Sequence, residues 1–193
     1  MTSKEEMEIF YPTSTTEWRK WLQKNHISKQ CVWLIFYKKA SKKASISWSD
    51  AVDEALCFGW IDSKKIAIDE EKSQQFFSKR KPKSTWSKIN KLKIEQLIGK
   101  GLMNKAGYDI IEIAKQNGSW IILDEVEELK IPSDLEMKFE TQKGSLDFFL
   151  SLSKSVRKAI LQWVVLAKRP ETRQNRINEI VELASQKLKP KQF

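Results

Sequence analysis

Trp60-Ile-Asp-Ser-Lys-Lys-Ile-Ala-Ile-Asp-Glu-Glu-Lys-Ser-Gln-Gln-Phe-Phe-Ser-Lys-Arg80 is the stretch that decides the fold. Ile66 and Ile68 fall on alternate positions, Glu70-Glu-Lys-Ser supplies a polar turn, and Gln74 to Arg80 is a second arm ended by Pro82. A short connection between two such arms predicts an antiparallel pair, because the loop costs little to close. Upstream, Cys31-Val-Trp-Leu-Ile-Phe-Tyr37 is an unbroken β-favouring run, expected to be a strand buried on both faces.

Helical signals surround these strands. Ser14 and Glu17 read as a capping box opening a helix with Trp18, Trp21 and Leu22 on one stripe. Ser49-Asp50 is expected to cap a helix carrying Val52, Ala55 and Leu56, stopped by Gly59. Ser84 or Thr85 is expected to cap another, running through Trp86, Ile89, Leu92, Leu97 and Ile98. Asn104 opens a fourth, with Ile110, Ile111 and Ala114, that stops at Asn117-Gly118. Asp124 to Lys130 reads as a linker. Beyond it, Val156, Ala159, Ile160, Trp163, Val164 and Ala167 form one apolar stripe, and Ile177, Ile180, Val181, Ala184 and Leu188 form a second across Pro170. The reading is α+β: an antiparallel sheet with packed helices over roughly residues 10–125, and a helical hairpin domain over roughly 130–190.

Composition narrows the function classes. With 40% hydrophobic residues and eight tryptophans in 193 residues, the chain can build a core and is not a disordered segment. Met1 to Glu8 carries three acids and no apolar core of a secretory leader, and no run is long enough to span a bilayer, so the expected location is cytoplasmic. Cys31, Cys57 and the single His26 have no metal-site spacing, so no metal, cofactor or disulfide is expected. The net charge of +10 is unevenly spread: Lys72 to Lys93 holds eight bases and no acid, while Asp109 to Glu140 holds nine acids against three bases. Such a field favours anionic partners.

Three longer stretches carry a resemblance. They are Ala55-Leu-Cys-Phe-Gly-Trp-Ile-Asp62, Phe77 to Asn90, and Gly101-Leu-Met with Ala106-Gly107. With the tail Trp163 to Ile177, which includes Ala167-Lys-Arg-Pro-Glu-Thr-Arg173 and Arg176, they resemble the YdeI/OmpD-associated, or bacteriocin-protection, family. The resemblance runs from about Thr16 to Ser185 and implies a YjbR/frataxin-like N-terminal layer. Its label implies protection against bacteriocins or cationic peptides. A chain of net charge +10 would repel such a peptide rather than sequester it.

The candidate ligand residues are Trp60, Asp62, Lys79, Arg80, Trp86, Ser87 and Asn90. Arg80 and Lys79 supply charge, the helix start near Ser87 and Asn90 supplies free N–H groups, and Trp60 and Trp86 supply stacking faces. The alternative for this cluster is structural, with both indoles in the core. Arg169, Arg173 and Arg176 form a second basic group; Arg173 is expected to bridge to acids of the N-terminal domain as a clamp, or to touch ligand. No catalytic motif is present, and Cys57 near a helix C-terminus is a poor nucleophile. The expectation is a non-catalytic binding protein for an anionic small molecule or partner. The alternative is a nucleic-acid-binding module using residues 72–93, and the weaker one an enzyme of unread chemistry.

Overall fold

The computed structural model describes residues 7–193, so the leader reading at residues 1–6 lies outside the described residues. The chain forms two compact units, one ending at Trp120 and the other running from Ile121 to Phe193.

In the first unit, β1 (Ile9–Phe10), β2 (Cys31–Tyr37), β3 (Trp60–Ala67) and β4 (Lys72–Lys79) form one sheet in the order β1-β2-β4-β3. The β3–β4 hairpin has the expected antiparallel register, Trp60 opposite Lys79 and Asp62 opposite Phe77, with a bulge between Asp62 and Lys65. The sheet is mixed rather than purely antiparallel, because β1 runs parallel to β2. Burial along β2 alternates, with Val32 and Leu34 sealed and their neighbours half-buried, so the expectation of two covered faces is corrected. Helices cover one face only. Trp18 packs edge-on against Phe77 at 5.6 Å there, while Trp33 and Phe76 contact each other on the opposite, half-exposed face.

Four helices complete the unit among the described residues: α1 (Thr15–Asn25), α2 (Trp48–Cys57), α3 (Lys88–Gly99) and α4 (Lys105–Gln116). Ser14 caps α1 by accepting from the Glu17 amide, while Glu17 reaches back to the Thr13 amide. Two caps differ from expectation. Ser47, not Ser49 or Asp50, caps α2, and Ser87 caps α3, which leaves Trp86 in the loop ahead of it. The α3 stripe shifts accordingly: Ile94 and Leu97 are buried, whereas Ile89, Leu92 and Ile98 are exposed. An indole of that size has to enter the core from an extended loop, and the helix then starts only after it.

Helix α2 is the hub, touching α1, β3, α3 and α4. Its exit is drawn tight against α4. Gly59 takes the left-handed conformation at φ +72°, and a Cβ there would stand 2.9 Å from the Ala106 carbonyl oxygen. Gly107, inside α4, is closer still: an added Cβ would lie 2.4 Å from the Cys57 carbonyl oxygen. That carbonyl also accepts from the Asn104 amide at 3.0 Å, so the approach is bonded. The Arg19–Glu54 ion pair at 2.6 Å ties α1 to α2, and Arg19 donates further to the Leu102 carbonyl.

The second unit holds α5 (Asp124–Glu127), α6 (Ser133–Glu140), α7 (Ser145–Ser151), α8 (Lys154–Val165) and α9 (Pro170–Ser185). The expected linker is therefore partly helical, and its Val126 joins this unit's core. Leu188 lies beyond α9 and is exposed, so it does not extend the apolar stripe.

A methyl group at position 107 has backbone, not a flexible side-chain end, to displace. Gly107→Ala is expected to destabilise the first unit by about 3 kcal/mol, the upper end of overpacking costs. The check is the urea midpoint followed by tryptophan fluorescence, and an unchanged midpoint would contradict the close approach.

Candidate anion-binding recess

Where β4 ends, the chain turns under its own arginine. The Arg80 amide donates to the Gly59 carbonyl at 2.9 Å, which fastens it beside the α2–β3 turn. Its guanidinium lies flat over the Trp86 ring at 3.6 Å and donates through Nη1 to the Thr85 carbonyl at 2.7 Å. Pro82 sends the chain away from the sheet, and Trp86 returns to pack on Trp120 at 5.0 Å. The outcome is a cation only 6% exposed.

Burial pushes the Arg80 guanidinium down to about 10, with Asp62 opposing the shift. It remains a full cation at neutral pH. Among the described residues no carboxylate stands within 4.0 Å of it, and Nε has no acceptor. Asp62 is occupied elsewhere: its Oδ2 accepts from Trp48 Nε1 and Gln75 Nε2, both at 2.9 Å. Trp60 Nε1 is a second buried donor without a partner. Unmade bonds of this kind cost about 1–3 kcal/mol each.

Both residues stand in the wall of one recess of about 300 Å³. Its lining comes from the end of α1 (His26, Ile27), the α2–β3 turn (Phe58, Gly59, Trp60), the end of β4 (Lys79, Arg80) and α4 (Ala106, Asp109, Ile110, Ile113). Lys79 Nζ donates to the Ile27 carbonyl at 2.6 Å, and His26 Nδ1 faces the Leu22 carbonyl at 2.8 Å. The His26 ring packs on Phe58. The lining therefore combines the cationic side chains Lys79 and Arg80 with isoleucine and phenylalanine.

Of the expected ligand residues, Trp60, Lys79 and Arg80 share this recess, whereas Asp62, Trp86, Ser87 and Asn90 do not line it. The stacking role is corrected, since Trp60 and Trp86 are sealed in the core and Arg80 already covers the Trp86 ring. Ser87 is the α3 cap, accepting from the Asn90 amide. The residues that sequence reading missed are His26, Phe58, Ala106, Ile110 and Ile113, supplied from distant segments. The available signal was the glycine pair Gly59 and Gly107, which marks where α4 meets the turn.

The basic stretch is spread over several tasks. Lys72 pairs with Asp69, Lys79 bonds backbone, Arg80 is buried, and Lys93 meets Asp53 and Ser49. Cys57 is buried, and burial beside Glu54 pushes its thiol up to about 11, so it is not a nucleophile at neutral pH. Among the described residues no His, Cys, Asp and Glu group could hold a metal ion, and no helix is long and apolar enough to cross a membrane.

In the second unit, two arginines one turn apart on α9 close the end of α8. Arg173 Nη1 donates to the Val164 carbonyl at 3.2 Å, and Arg176 Nη1 donates to the Trp163 carbonyl at 2.6 Å. Both are last-turn carbonyls of α8, and the Val164 one also accepts from the Ala167 amide at 3.1 Å. Arg173 also grips Asp134 through Nε and Nη2 at 2.6 and 2.8 Å, so its carboxylate belongs to its own unit and not to the N-terminal domain. Arg176 lies over the Trp163 ring, and Arg169 is exposed at the α9 cap position.

Residues 10–110 match the model of the family described as Domain of unknown function (DUF8412). The chain belongs to that family. Residues 128–187 match the family described as Bacteriocin-protection, YdeI or OmpD-Associated. The motifs at Ala55–Asp62 and Phe77–Asn90, expected to share the second family, lie in the stretch that matches the DUF8412 model, so that family's support comes from the C-terminal part. No curated protein and no solved structure matches the chain significantly. The recess lies in the DUF8412 segment apart from Ile113, and the arginine closure of α8 lies in the other match.

The Arg173 contact has a pH signature. Its hydrogen bond is the main cause holding the Asp134 carboxyl below the ordinary value. A lowered folded value means the contribution is complete above the unfolded carboxyl value of about 3.9 and is lost as pH falls through the folded one. Asp134→Asn is expected to lower the stability of the second unit at pH 6 by about 1 kcal/mol, discounted for partial exposure. The difference from wild type should shrink as pH falls below about 4. Urea midpoints across this range check it, and a pH-independent difference would contradict the pairing.

Proposed function

We propose that this protein binds a small anion in the recess bounded by Trp60, Lys79, Arg80 and α4, without catalysing a reaction on it. The observation that carries the reading is Arg80: a cation 6% exposed, with no carboxylate in ion-pair range and an unbonded Nε. Buried charges are ordinarily paired, and one that is not is stabilised by whatever acceptor can reach it. Lys79 beside it and the +10 charge of the chain draw anions toward the site. The bacteriocin-protection wording describes a family matched by the other unit, and the recess contributes nothing specific to it.

Nucleic acid is a weaker occupant for physical reasons. A recess of about 300 Å³ is at the small end for ligand sites, and its charge is buried rather than spread along a surface.

The test is thermal unfolding of wild type and Arg80→Met at fixed ionic strength with acetate, benzoate, sulfate and inorganic phosphate. Methionine keeps much of the packing over Trp86 and removes the charge. In wild type at least one anion should raise the midpoint saturably, by several degrees near a hundredfold excess over its Kd. Arg80→Met should lose that response while its ligand-free midpoint stays level or rises, because an unpaired buried charge has been removed. A wild type insensitive to every anion, or an equal response from both proteins, would overturn the proposal.

A further inference from the structure

The recess is not built for anions in general. Its lining is part cationic and part apolar, and the combination names a ligand class. Resting on the anion-site reading above, we infer that the ligand is a monocarboxylate with a compact apolar tail, of the size of hexanoate or benzoate.

The charge requirement comes from Arg80. Nη1 is committed to the Thr85 carbonyl, while Nε has no acceptor and no bond is made by Nη2 among the described residues. That leaves the Nε–Nη2 edge, whose two parallel donors match the two oxygens of a carboxylate. Nε is sealed from water in the free protein, so pairing a carboxylate with both donors of this edge requires the guanidinium to shift. Lys79 is less available, because its ammonium is already given to the Ile27 carbonyl. A monocarboxylate brings one negative charge for the buried guanidinium to offset, while the Lys79 ammonium on its carbonyl stays charged beside it. A phosphate dianion would bring a second charge into a wall that also carries the Asp109 carboxylate, whose own partner is the exposed Lys105.

The tail requirement comes from the apolar part of the same recess. Phe58, Ile110 and Ile113 line it, with Ile27 at the rim, 78% exposed. Ile113 is 40% exposed, an apolar surface that a hydrocarbon tail would cover. Acetate reaches the charge and leaves this wall wet. A neutral alcohol of the same length covers the wall and leaves the guanidinium unpaired. Hexanoate or benzoate does both, and a volume of about 300 Å³ accepts either.

Titration calorimetry at constant ionic strength separates these demands, using acetate, hexanoate, benzoate, 1-hexanol and inorganic phosphate. Hexanoate and benzoate are expected to bind at least about tenfold more tightly than acetate, the gain from burying several methylene or ring carbons. Hexanol and phosphate should show no saturable heat. Arg80→Lys, which keeps charge but loses the fork, should weaken benzoate at least about tenfold. Ile113→Ser, at a partly exposed position where folding is not at risk, should narrow the hexanoate-to-acetate ratio. If phosphate binds through Arg80 more tightly than benzoate, the anion site stands and the monocarboxylate class falls. If Ile113→Ser leaves the ratio unchanged, the apolar wall is not part of the site and the class falls as well. If no anion binds, both the inference and the site it rests on fall.

Discussion

The backbone of α4 lies on the backbone of the α2–β3 turn with nothing between them. Gly107 presents no Cβ to the Cys57 carbonyl, and Gly59 presents none to the Ala106 carbonyl while holding a left-handed φ. Two helices that carry side chains at their contact stand some 8–10 Å apart. A glycine on each side brings these segments closer, and Ile110 and Ile113 line the same recess as Arg80. That approach puts Gly59 and Ala106 into the lining of the recess beside Lys79 and Arg80. The recess is thus a consequence of two missing methyl groups.

Around it, the charge of the protein is dispersed into local tasks. Lys93 ties to Asp53 on α2, Arg19 to Glu54, Lys158 to Glu127, and Arg173 to Asp134. Such pairs fasten neighbouring elements and add little to stability where exposed. Arg80 differs in kind, because it is withdrawn from water and given a ring and one carbonyl rather than a carboxylate. A fold selected for stability alone would put an apolar side chain there. Strain that a protein retains tends to mark where it works.

Much of the architecture was legible in the residues. Alternation and a polar turn gave the β3–β4 hairpin, Ser14 and Asn104 announced their helices, and Gly59 stopped α2. The caps at Ser47 and Ser87 were misplaced because several serines compete within a few positions, and only packing of Trp86 decides among them. Strand β2 looked doubly buried because its half-open face still carries Trp33 and Ile35, which contact neighbours on the sheet surface. β1, at two residues, has no periodicity to read. For the site, Trp60, Lys79 and Arg80 were visible as charge beside aromatic residues, but their indoles proved structural. His26 and the α4 isoleucines come from segments that no spacing connects, so only the folded backbone could reveal them.

The most direct measurement on this account is the ¹H–¹⁵N correlation of the Arg80 Nε–Hε group by NMR. Slow exchange with water in the free protein, followed by a saturable shift as benzoate is added, is the predicted behaviour of a buried donor awaiting an acceptor. An Hε that exchanges as fast as those of exposed arginines and stays fixed throughout the titration would contradict it.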